Sequence, residues 1–224
     1  MKDVYLVLDF DSTFVTVESL DLLADKALGT TADRERIARE IQEITKLGME
    51  GVIPFSESLS RRLKLFRAHQ RDVAAATQAL TGMVSPSIAR ERQWIREHAD
   101  RIHIISGGFK EIITPVVEAF GIAPAQVHAN DLVYDADGYI SGVDETSHFA
   151  HDHGKATHLR SLELPGIICA IGDGYTDYEM KSLGGAHHFF AFTENISRPP
   201  VISLADRVFS DFKDVRDHVE SRLL

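Results

Sequence analysis

A single cysteine, Cys169, occurs among 224 residues, so no intrachain disulfide can form. It lies in Ile167-Ile168-Cys169-Ala170-Ile171 and is expected to pack as a small hydrophobe. Positive charge is also short: 24 Lys and Arg stand against 34 Asp and Glu, a formal charge of −10. That balance argues against nucleic acid and anionic membrane as partners, because both need a cationic face. It also means that an anionic substrate must be drawn by local cations or a metal rather than by the overall field. No apolar run reaches membrane-spanning length, and no basic segment leads into a long apolar one. A soluble protein of the reducing cytoplasm is the expectation. Fixed-period repeats, Gly/Ser linkers and low-complexity tracts are missing as well. The chain therefore reads as one body with an insertion, not as domains in tandem.

What is present begins with Val4-Tyr5-Leu6-Val7-Leu8, a run of β-formers without a polar break, followed by Asp9 and Asp11. Such a run, apolar on both faces, suits the buried centre of a parallel sheet. A carboxylate pair at its carboxyl end stands where open α/β sheets bind ligands. The plainer alternative is a turn with one Asp as a helix N-cap. Helical periodicity then replaces strands. Residues 18–28 carry Leu20, Leu23 and Ala27 and stop at Gly29, and residues 33–47 repeat Ile37, Ile41 and Ile44 and end at Gly48. Pro54 opens a third helix with the stripe Phe55, Leu59, Leu63 and Phe66, and residues 71–80 form a fourth.

Beyond the helices, a helix from Ser85-Pro86 to about His98 precedes the strand 101–105, which breaks at Ser106-Gly107-Gly108. The stripe Ile112, Ile113, Val116, Val117 and Phe120 is helical, with Pro115 expected to kink it or mark its start. A short strand at 127–129, a hairpin around Asp135-Ala136-Asp137-Gly138, a helix near 154–163 and a strand at 166–171 follow. Gly172-Asp173-Gly174 turns into a helix, Phe189-Phe190-Ala191-Phe192 is a buried strand, and a last helix starts near Asp211. Strands alternating with helices predict an α/β fold: a doubly wound, mostly parallel, Rossmann-like sheet with a small helical cap inserted after the first strand.

Asp9 and Asp11, Ser106-Gly107-Gly108, Lys155, and Asp173 with Asp177 all fall at strand ends or beside a crossover. Brought together, they make a pocket with four carboxylates, a lysine, a hydroxyl and free backbone N–H groups. Four carboxylates need a compensating cation, and a hard divalent ion such as Mg²⁺ suits oxygen ligands beside a phosphate. Ser106 and the Gly107 amide, read as a helix N-terminus, supply donors to anionic oxygens.

In order and spacing, Asp9-x-Asp11-x-Thr13, Ser106-Gly107-Gly108, Lys155 and Gly172-Asp173-Gly174-x-x-Asp177 resemble the four motifs of the haloacid dehalogenase superfamily of phosphotransferases. Glu18, Met49-Glu50-Gly51, Phe55, Ser58-Leu59, Arg62, Ala129-Asn130-x-Leu132, Asp144-Glu145-Thr146 and Gly154-Lys155 extend the likeness to its phosphoserine phosphatase branch. The resemblance implies a core of residues 1–11 and 77–224 and a cap of 12–76. It implies hydrolysis of a small phosphomonoester, L-phosphoserine, through an aspartyl phosphate, with phosphotransfer to an acceptor such as homoserine as the alternative. Asp9 would be the nucleophile, Asp11 the acid and base, and Lys155 the charge-spreading cation. Asp9, the Asp11 carbonyl and Asp173 would bind Mg²⁺, with Asp177 behind them. Ser106, Gly107 and Thr176 would hold phosphoryl oxygens; Thr176 stands where many members have Asn. Glu18 would pair with the substrate ammonium and Arg62 with its carboxylate, under a roof of Met49 and Phe55.

Two clusters have blander readings. His148, His151, His153 and His158 are expected in a solvated loop, without the ordered third ligand zinc requires. Tyr134 and Tyr139 are expected to pair across the hairpin.

Overall fold

The computed structural model describes residues 4–222. β1 (Val4–Leu8) leads into a tight turn, Phe10–Phe14, and then four helices: α1 (Ser19–Leu28), α2 (Arg34–Met49), α3 (Phe55–Leu63) and α4 (Gln70–Leu80). The chain returns through α5 (Pro86–Arg90) and α6 (Arg92–Glu97) to β2 (Ile102–Phe109), α7 (Lys110–Glu118) and β3 (Val127–Asn130). An antiparallel hairpin of β4 (Leu132–Tyr134) and β5 (Ile140–Val143) follows. α8 (Gly154–Ser161), β6 (Ile167–Gly172), α9 (Tyr175–Ser182) and β7 (His188–Phe192) continue it. α10 (Pro199–Ile202), β8 (Arg207–Phe209) and α11 (Phe212–Arg222) complete the described chain.

The main sheet runs β3-β2-β1-β6-β7-β8, with every neighbouring pair parallel. Strand alternation divides the core. Leu6, Leu8, Ile104 and Phe109 join the cluster on one face, while Val7, Ile105 and Ala170 join the cluster on the other. The order of addition reverses at β1, with β2 and β3 to one side and β6, β7 and β8 to the other. That reversal opens a crevice at the strands' carboxyl ends. Asp9 directly follows β1 and Asp173 directly follows β6, so both stand at its mouth.

Several local expectations change. Gly48 lies in the last turn of α2, which runs one residue further to Met49, and a Cβ there would sit 2.7 Å from the Ser58 Oγ. Its role is close packing of α2 on α3. α3 stops at Leu63, leaving Phe66 beyond it, and the boundary at residue 76 falls inside α4. The helix read through 85–98 breaks at Glu91, whose N–H bonds back to Ser87 and Ile88. α7 runs from Lys110 across Pro115, which neither starts nor ends it. Tyr139 meets His69 rather than Tyr134, which sits opposite Ile140. His158 is not in a solvated loop. It lies on α8 against Phe149, and its Nε2 is 2.9 Å from His128 Nδ1, whose other ring nitrogen is 3.0 Å from His103. α10 and β8 have no counterpart in the sequence reading.

Candidate active site

The turn after β1 shapes the first half of the site. Asp9 Oδ1 accepts from the Phe10 N–H at 2.7 Å, and Phe10 and Phe14 are buried beneath. Ser12 adopts a left-handed φ of 54°. Its Oγ donates to Glu18 Oε1 at 2.8 Å and its N–H to Val17 O, folding residues 11–19 back on themselves. Asp11 then accepts from the Ser19 N–H at 2.9 Å and the Ser19 Oγ at 3.0 Å. Burial, with Glu18 and Asp9 close by, pushes the Asp11 carboxyl well above its ordinary range.

Crossover segments supply the second half. Lys155, in the first turn of α8, places Nζ 2.8 Å from both Asp9 Oδ1 and Asp177 Oδ1. Burial lowers its pKa, but the Asp177 and Asp9 carboxylates outweigh that and raise the ammonium above its usual value. Asp177 Oδ2 accepts from the Gly174 N–H at 3.0 Å. Asp173 accepts from Arg198 Nε at 2.8 Å and from Thr13 Oγ1 at 3.2 Å, and burial, with Glu18 and Asp9, pushes it up to about 7.

β2 brings a correction. Ser106, Gly107 and Gly108 stay within the strand, and α7 begins only at Lys110, so no helix N-terminus presents these donors. The reason is an irregular register between Ile105 and Phe109, which two glycines accommodate without ending the strand. Asn130 Nδ2 donates to Gly107 O at 2.9 Å from the neighbouring strand. A Cβ at Gly107 would fall 2.3 Å from Phe55 Cζ, so the bare glycine lets the α3 ring rest on the strand.

One cavity brings together Asp9, Asp11, Met49, Phe55, Arg62, Ser106, Gly107, Lys155 and Thr176. Thr176 Oγ1 is buried without a partner among the described residues. Glu18, Asp173 and Asp177 stand behind this lining. Glu18 Oε1 is engaged by Ser12, whereas Oε2 is buried and unpartnered among the described residues. Arg62 is buried; its Nε donates to Ser58 O and its Nη1 to Thr45 Oγ1. Arg198, 5% exposed and 3.5 Å from Glu18 Oε1, was missed from sequence. The only cue for it is a cation placed after the carboxyl end of a buried strand.

The donor set fits a hard divalent ion. Asp9, Asp173 and Asp177 each offer an oxygen within 4.8 Å of the others, and all three are buried. Together with Asp11 they crowd negative charge into a volume that Lys155 and Arg198 offset in part.

A parallel sheet with an Asp pair after β1, a Ser followed by two glycines within β2, a crossover Lys and an Asp pair after β6 defines a class. The profile of the haloacid dehalogenase-like hydrolases matches residues 6–181, and the chain belongs to that family. Within it, the chain falls in the phosphoserine phosphatase-like branch. It is 30% identical over 215 residues to the phosphoserine phosphatase of Mus musculus, covering 95% of this chain and 91% of that protein. It is also 30% identical over 210 residues to the chloroplastic phosphoserine phosphatase of Arabidopsis thaliana, covering 92% and 68%. A crystal structure of a phosphoserine phosphohydrolase-like protein from Francisella tularensis superposes with a TM-score of 0.87 at 28% identity, covering 98% of this chain and all of that one.

Proposed function

We propose that this protein hydrolyses O-phospho-L-serine to L-serine and phosphate. The observation that carries the substrate is a matched pair beside Asp9: the Glu18 carboxylate with an unpartnered oxygen, and the buried Arg62 guanidinium, which makes no ion pair among the described residues. An α-amino acid presents one ammonium and one carboxylate, the complement of that pair. Relatives named phosphoserine phosphatase support the same choice.

The chemistry follows from which oxygens are already engaged. Asp9 Oδ1 is taken by the Phe10 N–H and Lys155, leaving Oδ2 to attack phosphorus. As that bond forms, the bond from phosphorus to the serine oxygen breaks, and Asp11 gives its proton to the leaving oxygen. Burial raises the Asp11 carboxyl above its ordinary range, which favours its protonated form and suits it to act as the acid. Water then attacks the aspartyl phosphate, Asp11 takes its proton back, and Asp9 is released with phosphate. Ser106, Gly107 and the Thr176 hydroxyl hold the phosphoryl oxygens, while Lys155 offsets their charge. Asp9, the Asp11 carbonyl and Asp173 would hold Mg²⁺, with Asp177 behind them. When bound, that ion supplies the charge that lets a carboxylate approach a phosphate dianion. Met49 and Phe55, from a helical cap that includes α2, α3 and the whole of α4 over the sheet core, exclude water. Among the described residues no helix is long and apolar enough to cross a membrane, in keeping with a cytoplasmic enzyme acting on a small phosphomonoester.

The test is phosphate release with Mg²⁺ from O-phospho-L-serine, O-phosphoethanolamine, glycerol phosphate and p-nitrophenyl phosphate, with and without L-homoserine as acceptor. Phosphoserine should lead in kcat/KM, EDTA should stop turnover, and Asp9→Asn should abolish it. Equal rates on all four esters would overturn the substrate assignment, and turnover in Asp9→Asn would overturn the nucleophile.

A further inference from the structure

Three helices meet at the Arg62 side chain, and two of them contribute groups outside the chemistry above. Arg62 on α3 donates Nη1 to Thr45 Oγ1 on α2 at 3.2 Å. Thr45 Oγ1 in turn donates to Asp21 Oδ1 on α1 at 3.1 Å. Thr45 is 4% exposed and Arg62 3%, so water does not compete for these bonds. The second anchor of the guanidinium is on its own helix, Nε to Ser58 O at 3.3 Å. No hydrogen bond to Nη2 is made among the described residues, and Arg62 lines the cavity.

A hydroxyl has one proton. With that proton committed to Asp21, Thr45 meets Arg62 only with a lone pair, which is the one kind of partner a guanidinium accepts. Asp21 therefore sets the Thr45 rotor, and the rotor sets Nη1. A carboxylate placed directly against Arg62 would take two of its N–H groups and neutralise it. The interposed hydroxyl holds the fork in position and leaves its charge for a ligand. The two helices are close enough for this because Gly48 packs on Ser58. Thr45 and Gly48 share one face of α2, and Ser58 and Arg62 share one face of α3.

We propose that Thr45, oriented by Asp21, is a positioning residue that aims Arg62 at the substrate carboxylate. The proposal rests on Arg62 binding that carboxylate, so its test carries Arg62→Ala as a reference. Thr45→Val keeps shape and removes both hydrogen bonds; Thr45→Ser keeps the hydroxyl. Steady-state kinetics are measured on O-phospho-L-serine, which has the carboxylate, and on O-phosphoethanolamine, which has the ammonium alone. Thermal melts check folding. Thr45→Val should raise KM for phosphoserine by roughly 10- to 100-fold, the range for a hydrogen bond to a charged group, with kcat within about threefold. O-phosphoethanolamine kinetics should not change, and Thr45→Ser should restore most of the loss. In the Arg62→Ala background, Thr45→Val should add nothing further.

The outcomes separate. If Arg62→Ala weakens both substrates equally, Arg62 does not read the carboxylate and the substrate assignment itself fails. If Arg62→Ala discriminates but Thr45→Val does not, the positioning proposal fails while the assignment stands. Equal losses on both substrates in Thr45→Val, without rescue by Thr45→Ser, would show a purely structural role and also overturn it.

Discussion

Lys155→Met asks how much of this fold is held against its own charge. Nζ bridges Asp9 and Asp177 at 2.8 Å each, and the three side chains are 7%, 3% and 0% exposed. At an effective dielectric of about 20, each contact is worth roughly 6 kcal/mol of Coulomb attraction. Desolvation of several kcal/mol per ion takes most of that back, so the intact triad is close to neutral for stability. Removing the cation alone leaves the carboxylates buried and facing one another. Breaking a buried pair in this way costs about 3–5 kcal/mol. For a chain of this size each kcal/mol lowers Tm by about 2–4 °C, so the variant should melt about 6–20 °C below the parent. The assay is thermal unfolding followed by circular dichroism in EDTA, which keeps any cation from replacing the ammonium. Asp177→Asn added to Lys155→Met should recover part of the loss, because one of the stranded charges is gone. A Lys155→Met variant melting within about 2 °C of the parent would refute the reasoning. So would a loss that Asp177→Asn leaves unchanged, since the damage would then be one of shape.

Two further outcomes are expected. Gly48→Ala should push α3 off α2, because its Cβ would meet Ser58 Oγ at 2.7 Å and Cβ at 2.8 Å. Melting should fall by the equivalent of about 1–3 kcal/mol and KM for phosphoserine should rise, with Ser58→Gly in the same chain recovering both; an unchanged KM would contradict the packing argument. The histidine chain supplies a pH dependence: burial and neighbouring imidazoles hold His128 down at about 3, and burial, with His148 and Lys110, holds His158 down at about 4. Unfolded, both titrate near 6.5, so the stability they contribute is present above about pH 6.5 and lost as pH falls toward 4. His128→Phe should flatten the fall in Tm between pH 7 and pH 5, and a slope equal to the parent's would refute the assignment.

The divide between what could be read from sequence and what could not follows one line. β1 and its Asp pair were readable because a strand apolar on both faces cannot bury a carboxylate idly. The helices α1 to α4 were readable because each carries its own apolar period. Ser106-Gly107-Gly108 reads as the end of a strand, because glycine breaks an isolated strand. Here the neighbour β3 and an irregular register keep it extended. Gly48 reads as a stop for the same reason, whereas its cause lies on another helix. Thr45 and the His103–His128–His158 chain carry no sequence signal and Arg198 only its place after a buried strand, since each gains its meaning from partners 17 to 180 positions away. Periodicity tells a segment which of its faces is buried, but not which other face it will meet. The carboxylates and the lysine of the candidate site advertise themselves because charge is costly to bury anywhere. The groups that position the site, a threonine hydroxyl or a glycine without a side chain, cost little in any setting and become visible only once the helices are placed side by side.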